Sequence, residues 1–169
     1  MLNTNVAQLL NTQINKEFYS AYLYLEFSNY YEEEGLKGFA NWYRVQAQEE
    51  RDHAMLMIQY LQNNDCRVVL DTIERPDAEL NDKMDALKQG YEHEQYVTGL
   101  IHNIYDAAYT VKDFRTMQFL DWFVKEQGEE ETKASDLIKK MELFGGDAKS
   151  LYMLDSELGA RVYVAPSLV

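Results

Sequence analysis

An all-α fold is predicted for this chain: a four-helix bundle with one long crossover and a short C-terminal fifth helix. Three observations predict it. Only two prolines occur, Pro76 and Pro166, so nearly everything between them is free to be helical. Four long stretches carry apolar residues at helical spacing. Two short turns and one connection of about sixteen residues, Asp65–Leu80, separate those stretches.

The first helix is predicted over about Asn5–Glu34, closed by Gly35. Its inward register reads Leu10, Gln13, Glu17, Ala21, Tyr24, Phe27, Tyr31. The second, about Lys37–Asn64, reads Phe39, Trp42, Tyr43, Gln46, Glu50, His53, Met57, Tyr60, Leu61. The connection that follows has β-branched residues and Pro76 but no sustained helical period. The third helix, about Asn81–Tyr109, reads Met84, Leu87, Tyr91, Glu94, Thr98, Ile101, Tyr105, Ala108. A turn at Thr110–Lys112 leads to the fourth, about Asp113–Phe144, stopped by Gly145-Gly146. Its register reads Met117, Leu120, Phe123, Gln127, Glu130, Ala134, Leu137, Met141. A fifth helix is predicted over 148–159, before an irregular tail, 160–169.

The two short turns make two antiparallel hairpins. An extended chain covers roughly 3.3 Å per residue, so the long connection can run the length of the bundle. The whole chain, 1–169, reads as one domain with the bundle over about 5–144.

Composition excludes several function classes. A net charge of −13 would repel nucleic-acid phosphates, so no nucleic-acid partner is expected. It is compatible with attracting cations. No apolar run approaches a membrane span, and Met1–Leu10 lacks the basic and apolar segments of a signal peptide. A cytoplasmic location with no membrane partner is the expectation. Cys66 is the single cysteine, which rules out an intrachain disulfide and a cysteine-based zinc site.

Each apolar stripe is interrupted by ionisable or amide groups. A buried unpaired carboxylate costs several kcal/mol, roughly, so it neutralises or binds something. Measured from Gly35, Glu17 lies eighteen residues before, and Glu50 and His53 fifteen and eighteen after. Measured from Val111, Glu94 lies seventeen before, and Gln127 and Glu130 sixteen and nineteen after. At about 1.5 Å rise per residue, each hairpin sets its polar groups at nearly one level near mid-helix. Residues three apart share a face, which accounts for Glu50-x-x-His53 and Gln127-x-x-Glu130. Carboxylates with one imidazole suit iron in both oxidation states, and also Mn(II) or Zn(II). Glu50 is the natural bridge between two ions, with His53 completing one of them. Taken singly each motif is weak, since a lone Glu-x-x-His or a surface Gln-x-x-Glu is common. Four helices interrupted at one level carry the argument. His93 and His102 fall off the inward register and read as surface residues.

These residues carry a resemblance. The chain from Met1 to about Leu158 resembles a bacterial non-haem ferritin, in Asn15-Lys16-Glu17-Phe18-Tyr19-Ser20, Ala47-Gln48-Glu49-Glu50-Arg51-Asp52-His53, Glu92-His93-Glu94-Gln95 and the run from Trp122 to Glu131. Ferritin-like proteins are a known example of the bundle with one long connection. The resemblance implies an iron-storage subunit with ferroxidase activity, oxidising Fe(II) with O₂ or H₂O₂ and passing Fe(III) to a mineral inside a cage of twenty-four copies. It implies a first iron on Glu17, Glu50 and His53 and a second on Glu50, Glu94 and Glu130, with Gln127 beside it. It implies a third, weaker iron site on Glu49, Glu126, Glu129 and Glu130. Tyr24 and Trp122 match aromatics beside the centre, and Tyr24 is counted with the catalytic set. No haem is expected: Arg51 stands where the haem-ligating methionine of related bacterioferritins follows the bridging glutamate. Those relatives also repeat Glu-x-x-His on the fourth helix, where this chain has Gln127 and Glu130.

Two other readings share the pattern. One is a di-iron oxygenase or peroxidase acting on an organic or peroxide substrate, which needs space beside Tyr24. The other is a structural or partner-binding bundle whose carboxylates are salt-bridged.

Overall fold

A computed structural model of the chain describes residues 2–167; the last two residues of the expected tail lie outside them. Five helices form: α1 (Thr4–Glu33), α2 (Lys37–Asn63), α3 (Asp85–Thr110), α4 (Phe114–Phe144) and α5 (Ala148–Leu158). No strand occurs among the described residues. None of the helices among them is long and apolar enough to cross a membrane.

The first three helices end in the same way. The amide of Leu36 donates to Tyr31 O at 2.9 Å, that of Cys66 to Leu61 O at 2.9 Å, and that of Asp113 to Ala108 O at 2.9 Å. This six-to-one bond requires a left-handed residue just before the donor. Gly35 (φ 75°), Asp65 (φ 54°) and Lys112 (φ 57°) take that conformation. Only the first has the residue type that announces it, yet all three turns form. Asp113 caps α4 by accepting from Thr116 N at 3.1 Å. Asp147 does the same for α5 through Lys149 N and Ser150 N, both 3.1 Å.

Helical periodicity places the start of the third helix at Asn81; the structure places it at Asp85. The reason is local. Asp85 Oδ2 accepts from both Asn81 N and Asp82 N at 2.9 Å, and Asp82 Oδ1 accepts from Met84 N at 2.8 Å. These carboxylates satisfy amides that a further helical turn would have needed, so the segment stays a turn.

α1 packs along α2, α3 along α4, and α1 against α3; α5 lies against α2 and α4. The crossover between α2 and α3 runs beside α1, held by side chains that imitate strand pairing. Asn11 donates to Arg67 O at 3.1 Å and accepts from Val69 N at 2.7 Å, and Asn15 donates to Thr72 O at 2.9 Å.

The core is divided into two apolar halves. One is built from Tyr24, Phe27, Tyr31, Phe39, Tyr43, Leu87 and Leu137, the other from Leu10, Ile14, Met57, Leu61, Ile101, Leu120 and Phe123. Between them, on every long helix, lies the polar level that the sequence predicts.

α5 is fastened at the start of α2. Asp155 Oδ1 accepts from Gly38 N at 2.8 Å and Phe39 N at 3.0 Å, so a side chain of α5 satisfies two open amides of α2. The backbones meet so closely that a Cβ on Gly38 would lie 1.6 Å from the Asp155 carbonyl oxygen.

Gly128 is different. It sits exposed inside α4 with nothing within 4 Å of where a Cβ would be. Gly128→Ala should therefore stabilise the protein by about 0.5–1 kcal/mol, because alanine loses less backbone freedom in a helix. The midpoint of chemical unfolding measures it, and a lower midpoint than wild type would contradict the account.

Candidate metal centre

The six residues predicted to meet at mid-bundle do meet. Glu17, Glu50, His53, Glu94, Gln127 and Glu130 are each 3% exposed or less. Their ligand atoms form two sets: Glu17, Glu50 and His53, and Glu50, Glu94 and Glu130. Within each set the atoms lie within 4.8 Å of one another. Glu50 belongs to both, as its place on the α2 register suggests. The geometry suits two neighbouring divalent ions, and the four carboxylates match their combined charge.

Glutamine amides hold the carboxylates in place. Gln13, one turn before Glu17, donates to Glu17 Oε1 at 2.8 Å. Gln46, one turn before Glu50, donates to Glu50 Oε1 at 3.1 Å and also to Glu130 Oε2. Gln127 donates to Glu94 Oε2 at 3.1 Å and to the Glu94 carbonyl at 3.3 Å. The Tyr24 hydroxyl donates to Glu94 Oε1. Burial above all, and then the Glu94 charge, keep that phenol protonated and able to donate. One oxygen remains over: Glu17 Oε2 is buried and has no hydrogen-bond partner among the described residues. A buried oxygen of that kind is unfavourable unless an ion or proton completes it.

Burial and mutual charge shift the proton affinities of the cluster. Burial, reinforced by the Glu50 charge, pushes the Glu17 carboxyl up to about 8. Burial alone would lower His53, but Glu50, with Oε2 3.3 Å from Nδ1, outweighs it and lifts the imidazole to about 10. Burial would raise Glu50, and the His53 charge and hydrogen bonds more than reverse that. Burial and the neighbouring Glu50 and Glu130 charges hold Glu94 well above the usual carboxylate range. His53 is fixed edge-on against Trp122 (centroids 5.4 Å) and Phe123 (5.9 Å), which places Trp122 beside the centre.

Of the third predicted set, Glu126 lies within hydrogen-bond reach of Glu130, but the four carboxylates do not converge as the first two sets do. Glu49 lies 2.6 Å from Arg161. Glu126 lies 3.9 Å from Lys133. Glu129 is exposed and 3.5 Å from Lys125. Among the described residues, only the two sets above converge as possible metal ligands.

Other residues of the centre escaped the sequence reading. Lys133 Nζ lies 2.7 Å from Glu130 Oε1, one turn along α4, an i,i+3 spacing that could have flagged it. Gln13 and Gln46 stood in the inward register without a role. Arg161 carried no local signal at all. The expectation that His93 is a surface residue is corrected. It is half-buried, 2.7 Å from Ser20 Oγ, and edge-on to Tyr24 at 5.9 Å. The register followed the bundle axis, whereas α3 also buries a face against α1. His102 is exposed as expected.

A cleft of about 20 Å³ reaches Tyr24, Glu94, Glu130 and Lys133. That volume accommodates about one water-sized molecule.

Comparison with known proteins matches residues 7–144 to a family model described as ferritin-like domain. A bacterial non-heme ferritin of Campylobacter jejuni is 39% identical over 155 residues, 92% of this chain and 93% of that protein. Another, from Staphylococcus epidermidis, is 34% identical over 163 residues, 96% and 98% of the two chains. An open-pore ferritin from Archaeoglobus fulgidus superposes with a TM-score of 0.92 at 45% identity, covering 95% of this chain and 98% of its own. A closed form of the Archaeoglobus protein made by site-directed mutagenesis gives 0.94 at 44%, covering 97% and 100%.

Metal binding at the first set must displace the protons on Glu17 and His53. At pH 7 both are held, since about 8 and about 10 lie above it. Zn(II) binding there should release about two protons, and affinity should climb as pH rises from about 6 towards 8. Calorimetry in buffers of different ionisation enthalpy counts the protons. Binding without proton release would contradict this picture.

Proposed function

The chain belongs to the ferritin family, and on that premise we propose that it is an iron-storage subunit with ferroxidase activity at the two-ion centre. The observation that carries the reading is the Glu50-bridged pair of ligand sets with the orphaned Glu17 oxygen facing it. Fe(II) is the substrate. One ion takes Glu17, Glu50 and His53 as Glu17 and His53 give up their protons. The other takes Glu50, Glu94 and Glu130. Gln13, Gln46, Gln127 and Tyr24 keep the carboxylates aimed while the ions change charge.

Each Fe(II) loses one electron. With O₂ as oxidant, two electrons and two protons give H₂O₂; with H₂O₂, the same two electrons and two protons give two waters. Two irons held side by side deliver both electrons without releasing a one-electron product. The small cleft beside Tyr24, Glu94 and Glu130 suits an oxidant of that size and leaves little room for an organic substrate. That disfavours an oxygenase. A purely salt-bridged bundle is disfavoured because neither Glu17 nor Glu94 has a lysine or arginine partner among the salt bridges found. Oxidised iron then leaves for a mineral inside a hollow shell of identical subunits, twenty-four by analogy with the family, in the cytoplasm.

The two sites are unequal. The first has the only imidazole; the second faces the fixed Lys133 ammonium, which weakens the attraction for an arriving ion. Crystals exposed to rising Fe(II) or Zn(II) should fill the Glu17/Glu50/His53 site at the lower concentration. Filling of the Glu94/Glu130 site first would contradict the ranking.

Glu50→Ala removes the ligand common to both ions and should abolish rapid Fe(II) oxidation, a loss of at least about 100-fold, while the bundle still folds because His53, no longer held charged by Glu50, can shed its proton instead of remaining a stranded charge. Stopped-flow absorbance on the assembled variant measures it. A correctly assembled Glu50→Ala protein oxidising iron at the wild-type rate would end the proposal.

A further inference from the structure

The Arg161 guanidinium is held from several sides at once. Nη2 donates to Glu49 Oε2 at 2.6 Å and to Gln46 Oε1 at 3.0 Å, and Nη1 donates to the Trp42 carbonyl at 3.2 Å. The guanidinium carbon sits 4.0 Å above the Trp42 ring centre. The Arg161 carbonyl in turn accepts from Asn41 Nδ2 at 2.9 Å. The side chain is 13% exposed, and Glu49 is 17% exposed. Nearby, Lys133 Nζ lies 2.7 Å from Glu130 and 3.9 Å from Glu126. Two fixed cations are thus set among Glu49, Glu126 and Glu130. Glu129 does not join them, being exposed and turned to Lys125.

A metal ion using Glu49 and Glu126 would have to displace the guanidinium from Glu49 and approach the Lys133 ammonium. A histidine can yield to a metal by losing its proton, but arginine stays charged at any physiological pH. Its fork is already committed to Glu49, Gln46 and the Trp42 carbonyl, so leaving would strand a partly buried charge.

We propose that Arg161 is a resident cation that takes the place of a third metal ion: it neutralises Glu49, keeps that side of the centre closed to metal, and limits each subunit to two bound ions. The inference rests on the two-ion reading of the centre. It also gives the tail a role. By donating to Gln46 Oε1, Arg161 leaves the Gln46 amide nitrogen pointing at Glu50 and Glu130.

The test is Zn(II) soaked into crystals of the full-length protein, located by anomalous scattering at the zinc edge. Wild type should show ions on Glu17/Glu50/His53 and on Glu50/Glu94/Glu130 and none on Glu49/Glu126. Arg161→Gln should gain a third ion there. Arg161→Lys keeps the charge while losing the fork and the stacking on Trp42, and it should still exclude that ion. A simple strap for the tail would be broken equally by both substitutions. A Glu49/Glu126 ion in wild type, none in Arg161→Gln, or one in Arg161→Lys would each overturn the proposal. The wild-type arm decides even where a variant does not fold. Absence of ions from the two main sets in wild type would instead bring down the two-ion reading itself.

Discussion

Four carboxylates and an imidazole are withdrawn from water at the middle of this bundle, and most other features answer to that withdrawal. An isolated carboxylate in such a place is unfavourable by several kcal/mol, roughly, until something compensates it. Here the compensation is divided. Amide donors from Gln13, Gln46 and Gln127 and the Tyr24 hydroxyl address individual oxygens. His53 and Lys133 contribute positive charge to Glu50 and Glu130. The rest takes the form of a raised affinity for protons at Glu17 and Glu94, where burial and neighbouring charge disfavour the ionised form. The waist of the bundle is therefore a place whose side chains could hold cations rather than a source of stability.

Stability has to come from the two apolar halves on either side. That explains the length of the helices: each must run through one hydrophobic cluster, cross the polar level, and enter the other. A helix does so with its backbone groups paired within itself beside the site. The antiparallel hairpins follow, because a short turn returns the chain to the same level from the opposite direction. The crossover then carries the chain along α1 to repeat the pattern, which is why Asn11 and Asn15 spend their side chains on its backbone.

Much of this is legible in the sequence because it is periodic. Glu17, Glu50, Glu94 and Glu130 stand out as interruptions of stripes whose spacing is fixed by the helix itself, and two turn positions suffice to bring them to one level. What periodicity misses has identifiable physical causes. A register describes one inward direction, but α3 buries two, one towards the bundle axis and one towards α1. His93, one residue from Glu94, falls on the second. The start of α3 depended on a contest between Asp85 as a helical residue and Asp85 as an acceptor for Asn81 and Asp82. Arg161 and Glu49 lie 112 residues apart, and nothing in either neighbourhood refers to the other. Ion pairs of that range are decided by packing alone.

The contact between Gly38 and Asp155 bears on how this scaffold can be rebuilt. The first amides of α2 are completed by a residue near the end of the chain, at a distance that admits no side chain. The four long helices look like a self-contained unit that could be trimmed after Phe144 and used as a carrier for grafted peptides or labels. It is not self-contained. A graft point placed before Asp155 would strip the start of α2 of its acceptor and loosen the helix that bears Gln46 and Glu50. Useful fusions begin beyond Arg161, and the shortest workable scaffold is set by the fifth helix rather than by the bundle.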